Sequence, residues 1–91
     1  MDFDYNEEKN QLLVESRGIG FERVIDEIES NNLVANIRHF KSSRYKNQFL
    51  FLVRIDDYIY VVPYVKDEKR NVFFLKTVYP SRKFTKIYLK K

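Results

Sequence analysis

The chain has 91 residues, one histidine, no cysteine and a net charge of +4. One domain is expected, over residues 1–91, and without cysteine a disulfide framework, a zinc–thiolate site and a thiol nucleophile are excluded. No apolar run approaches the roughly 18 residues that cross a bilayer and the N-terminus lacks a signal-peptide pattern, so a soluble cytoplasmic protein with no membrane partner is the expectation.

Residues 2–5, DFDY, read as a short first strand. A helix follows over residues 6–16. Asp4 with Glu7 fits a variant of the capping box, and Asn6 is the rival cap. This helix is expected to bury Leu12 and Leu13 and to stop at Gly18, because glycine accepts the left-handed conformation after a last turn. A second helix starts near Phe21, where Phe21, Val24, Ile25 and Ile28 recur with helical spacing. Its charged residues, Glu22, Arg23, Asp26, Glu27 and Glu29, read as a solvated face.

The rest reads as sheet. LVANIRHF is a strand, KSSRYKN a polar connection, and QFLFLVRI and YIYVVPYV are strands separated only by Asp56 and Asp57, a hairpin spacing. Pro63 cannot donate to a ladder and so marks an edge or a bulge. KDEKRN makes a longer turn, and VFFLKTVY returns as the last strand. After Pro80, Ser81 is placed to cap a short helix whose Phe84, Ile87 and Tyr88 would face the sheet. The fold class is therefore α+β: an antiparallel sheet with two N-terminal helices packed on it and a short C-terminal helix.

Charge is unevenly spread. Residues 1–30 carry nine acidic and three basic side chains, whereas residues 31–91 carry four acidic and fourteen basic ones. Cations interleaved with tyrosine and phenylalanine point to a polyanion, RNA foremost. Hydrolase and metal chemistry have little support: His39 is the single histidine, there is no G-x-S-x-G, no His/Asp/Glu cluster and no glycine-rich phosphate loop, so no metal or other cofactor is expected. Phosphate chemistry remains open. RNA is cut when its own 2′-hydroxyl attacks the adjacent phosphorus, and a protein assists with cations on the phosphorane oxygens and a group that moves the proton. Arginine suits the first task because its planar fork matches two oxygens.

The opening FDYNEEKNQLLVESRGIGFERV resembles that of the BrnT-type toxins, which read F-[DE]-[WY]-[DN]-x-x-K-N, then a helix, then G-I-x-F-[ED]. The matching positions are Phe3, Asp4, Tyr5, Asn6, Lys9 and Asn10, then Gly18, Ile19, Phe21 and Glu22. Pro80-Ser81-Arg82-Lys83 is similar to the S-A-R-[KR] motif that closes the same family, with Pro80 a departure from it. The resemblance implies a compact fold related to the RelE and ParE toxins. It also implies a metal-independent endoribonuclease that inhibits growth, and a cognate DNA-binding antitoxin of ribbon-helix-helix type, with operator DNA reached only through the antitoxin complex.

On this reading Arg82 and Arg44 stabilise the phosphorane and His39 is the proton-transfer candidate. Lys9, Lys83 and Lys86 hold the RNA backbone. Tyr79 stacks a base, with Tyr45 and Tyr64 as further stacking candidates. The alternatives are a non-catalytic module that binds nucleic acid or an acidic protein, and a topoisomerase poison of the ParE type.

Overall fold

Asn6 is the cap of the first helix: its Oδ1 accepts the Lys9 N–H at 2.9 Å, satisfying a donor the helix leaves open. The computed structural model describes residues 1–41, 43–44 and 46–91. In chain order they form β1 (Phe3–Tyr5), α1 (Glu7–Arg17), α2 (Phe21–Glu27), an irregular turn (Ile28–Asn32), β2 (Leu33–Arg38), β3 (Gln48–Ile55), β4 (Tyr58–Asp67), β5 (Val72–Leu75), β6 (Tyr79–Pro80) and α3 (Arg82–Leu89). The chain is a small α+β domain, with the two N-terminal helices and the short C-terminal helix packed against a mixed sheet.

The sheet order is β1-β5-β4-β3-β2, with β6 beside β4. The expectation of a wholly antiparallel sheet is corrected at one place: β1 runs parallel to β5, pairing Phe3 with Phe73 and Tyr5 with Leu75. The two helices and three strands that intervene allow such a crossover, which no short turn permits. β3 and β4 form the hairpin read from their spacing; Asp56 (φ 51°) and Asp57 (φ 62°) both take the left-handed backbone that a tight hairpin turn requires.

Strand alternation divides the core in two. Phe51, Val53 and Ile55 of β3 and Val62 and Tyr64 of β4 pack under Leu13, Phe21, Val24 and Ile28. Leu50, Leu52, Ile59 and Val61 point to the opposite face, where Phe84 and Leu89 of α3 cover them. The two helical layers thus sit on opposite faces of the sheet.

Four local expectations change. Leu12 is 60% exposed while Leu13 is buried, because Asn10 takes the inward position beside it; the Asn10 Oδ1 accepts the Phe21 N–H at 2.7 Å and so starts α2. The apolar run at 72–79 is two short strands, β5 and β6, both paired with β4. Pro63 is buried on an interior strand, not an edge, and the bulge alternative holds: the ladder slips by one residue there, between Tyr64 paired with Leu75 and Val61 paired with Tyr79. The Pro63 carbonyl accepts the Lys76 N–H at 2.8 Å, so its ring nitrogen faces the gap between β5 and β6, where no donor is needed. Finally, Phe84 faces the sheet as expected, but Ile87 and Tyr88 are exposed; Thr85 and Leu89 turn to the sheet in their place.

Candidate nucleic-acid interface

The first turn of α3 is fastened to the start of β4. The Ser81 N–H donates to the Ile59 carbonyl at 2.9 Å, and the Ile59 N–H donates to the Thr85 Oγ1 at 2.9 Å. Thr85 in turn donates to the Ser81 carbonyl at 2.7 Å, and the Ser81 Oγ caps the helix by accepting the Phe84 N–H at 3.1 Å. β6 adds a second anchor, Tyr79 pairing with Val61 and Pro80 with Tyr60. Arg82 and Lys83 therefore leave a rigid platform, although both side chains lie in solvent.

Beside this turn lies an apolar-floored cleft of about 260 Å³, lined by Phe40, Val61, Tyr79, Ser81, Lys83 and Phe84. Burial pushes the Tyr79 phenol up from its ordinary value, so it keeps its proton and remains a donor. The Ser81 hydroxyl is occupied as a helix cap. Phe40 enters from the connection between β2 and β3 and is 63% exposed. The His39 ring stacks on Phe40 with centroids 4.7 Å apart. His39 is itself buried, its N–H donates to the Gln48 carbonyl at 3.1 Å, and its Nδ1 accepts the Lys41 N–H at 3.0 Å. With Nδ1 so engaged, the proton of the neutral ring resides on Nε2. Arg44 lies exposed on the same connection, its N–H donating to the Lys41 carbonyl at 3.0 Å.

The ion pairs take other cations. Arg23 binds Glu27 and Asp56, Arg54 binds Asp57, Arg70 binds Asp4 and Asp67, and Lys91 binds Asp57. The Arg70 guanidinium holds the Asp4 and Asp67 carboxyls below the usual carboxylate value. Among the described residues Arg82, Lys83 and Lys86 form no ion pair, so the N-terminal half of α3 presents unneutralised positive charge next to the cleft. Among the described residues no group of three or more His, Asp or Glu side chains converges as a metal site, and no helix is long and apolar enough to cross a membrane.

Of the residues singled out in the sequence, Tyr79 and Lys83 share the cleft, and Arg82 and Lys86 flank it on α3. His39 and Arg44 belong to the connection that supplies Phe40. Lys9 stands apart, half-buried on α1 in the layer across the sheet. Tyr64 is buried, stacks on Phe51 at 3.8 Å and donates its hydroxyl to the Asn36 Oδ1, so its ring is part of the core. Tyr45 lies outside the described residues. Phe40 was not singled out; its only signal in the sequence is an aromatic between the end of a strand and a basic loop.

The arrangement can hold a planar ring between Phe40, Tyr79 and Phe84 and an anion at Lys83 and Arg82. Compared with protein-family models, curated proteins and solved structures, the chain finds no match.

Proposed function

We propose that the cleft beside α3 binds single-stranded RNA and cuts it without metal, and that the chain is a growth-inhibiting toxin of the BrnT and RelE-like kind restrained by a DNA-binding antitoxin. The observation that carries this reading is the juxtaposition of three aromatic walls with Arg82, Lys83 and Lys86, which among the described residues form no ion pair. Aromatic faces accept any base, and lysine or arginine beside them accepts the phosphate.

In the proposed reaction the RNA 2′-oxygen attacks its neighbouring phosphorus and gives its proton to solvent water, the bond to the 5′-oxygen breaks, and the 5′-oxygen takes a proton from the Tyr79 hydroxyl, which solvent then restores. Arg82, with Arg44 from the facing connection, stabilises the phosphorane oxygens; Lys83 and Lys86 hold the flanking backbone. Tyr79 lines the cleft, and burial keeps its phenol protonated as a donor. The test is incubation of the protein with RNA in excess EDTA. Products ending in a 2′,3′-cyclic phosphate or 3′-phosphate are expected; 3′-hydroxyl ends, or complete dependence on a divalent ion, contradict the mechanism.

A second reading has a specific observation behind it. His39 is buried and its Nδ1 accepts the Lys41 N–H. A module that holds RNA in the same cleft without cutting it fits that geometry, and tight binding with intact RNA would establish it.

A further inference from the structure

The sheet face opposite α3, the one α1 and α2 pack on, also carries a row of aromatic rings: Tyr64 belongs to the core, and Phe3, Phe49 and Phe73 pack against it and stay partly exposed. Register places Arg38, Phe49, Tyr64, Lys66, Phe73 and Phe3 on this one face, drawn from all five long-path strands. The rings form a continuous row. Phe49 lies 5.9 Å from Tyr64, Tyr64 5.4 Å from Phe73, and Phe73 6.0 Å from Phe3. Tyr64 is buried and rigid, fixed by Phe51 beneath it and by Asn36, whereas Phe3, Phe49 and Phe73 are only half-buried.

A cation rests over each of two of these rings. The Lys66 Nζ is 4.2 Å from the Phe73 centroid and the Arg38 Cζ is 5.7 Å from that of Phe49. Each cation covers one face of its ring, so a base that stacks there displaces it toward the adjacent phosphate. Among the described residues neither cation has a carboxylate partner. Acids bound the patch instead of entering it. Asp4 and Asp67 occupy the alternate strand positions and are held by Arg70. Glu7 and Glu22 lie on the helical side, close enough to help burial raise the Tyr5 phenol.

We propose that this row is a stacking platform for a single-stranded polynucleotide, with Phe49 and Phe73 receiving bases and Arg38 and Lys66 pairing with the phosphates between them. The inference rests on the reading that the chain binds RNA, and it adds a site on the opposite face from the cleft. Half-exposed rings supply sequence-tolerant stacking, and the flanking cations complement a polyanion. The acids on the helical side repel the same strand and confine its path to the β2–β5 end of the sheet.

The test uses a short fluorescein-labelled 2′-O-methyl oligoribonucleotide, which cannot be cut by 2′-hydroxyl attack, and reads anisotropy across a salt series. A copy containing 2-aminopurine reports stacking by quenching. Phe49→Leu and Phe73→Leu keep the apolar volume and are expected to lower affinity about tenfold each and to relieve the quenching. Arg38→Gln with Lys66→Gln is expected to flatten the slope of log affinity against log salt by about 1.4, two phosphate contacts at about 0.7 each. These two cations support little of the core, so that pair decides the matter if the leucine variants melt early. Wild-type affinity and slope in the Gln pair, with binding lost in Lys83→Glu, would overturn the platform and leave the cleft standing. Absence of oligonucleotide binding by the wild type would overturn both. Equal competition by polyglutamate would assign the patch to an acidic protein and overturn the platform as drawn.

Discussion

The Thr85 Oγ1 accepts the Ile59 N–H at 2.9 Å across 26 residues of sequence, and this bond sets the angle at which α3 lies on the sheet. Both partners are buried. Thr85→Val keeps the shape but leaves the Ile59 N–H without an acceptor, at a cost of about 1–3 kcal/mol. The thermal midpoint should fall, and RNA affinity should fall further than stability alone explains, because Lys83 is carried on that first turn. Thr85→Ser, which restores the oxygen, should recover both.

Of the two glycines, Gly20 is the crowded one. A Cβ there would meet the Asn10 Oδ1 at 2.4 Å and the Val14 Cγ2 at 2.6 Å, and Asn10 cannot retreat without releasing the Phe21 N–H. Gly20→Ala should therefore destabilise by about 1–3 kcal/mol through crowding. Gly18 has open space around it but a φ of 74°, so Gly18→Ala should cost only the left-handed backbone penalty, about 1 kcal/mol. Urea titration of the two variants separates the mechanisms by size.

Elements whose cause is local were legible in the sequence. Gly18 as a helix stop, the Asp56–Asp57 hairpin and the Ser81 cap each depend on residues within one turn. What escaped depends on distant partners. The parallel pairing of β1 with β5 joins the two ends of the chain. Leu12 and Leu13 are equivalent in composition, and only the inward turn of Asn10 toward Phe21 decides which is buried. Ile87 looked like a core residue by spacing, but the Thr85 anchor rotates the helix and leaves it 56% exposed. The terminal basic cluster was visible as composition, whereas Phe40, which completes the cleft, is brought there by the fold.

Acid should loosen the edge where β1 joins the sheet. Arg70 holds the folded Asp67 and Asp4 carboxyls below their ordinary carboxylate value. Their stabilising contribution is complete above the unfolded value and is lost as pH falls through the lower, folded one. Arg70→Gln removes the largest cause of both shifts and leaves the backbone hydrogen bonds to the two carboxylates, so the variant's melting temperature should drop less than the wild type's between neutral pH and pH about 3. Parallel melting curves check this, and equal drops would mean the ion pairs contribute nothing measurable.

Binding should be steeply salt-dependent. With about five phosphates contacted, log affinity for single-stranded RNA should fall against log salt with a slope of about −3.5. Charge reversal at Lys83 and Lys86, both exposed on α3, should flatten it. Anisotropy at several salt concentrations gives the slope directly.

The central claim, that the cleft beside α3 cuts RNA, is tested most directly at Arg82. A phosphorane carries more negative charge than the ground-state diester, so a planar cation there favours the transition state over binding. Arg82 is exposed and supports little core, so Arg82→Ala should stay folded. The measurement is single-turnover RNA cleavage in EDTA by the wild type, Arg82→Ala and Arg82→Lys, with the thermal midpoint of each. A folded Arg82→Ala protein slowed by about 10²–10³, with partial recovery in Arg82→Lys, is the predicted result. A folded Arg82→Ala protein that cuts at the wild-type rate would contradict the account and move the active site elsewhere.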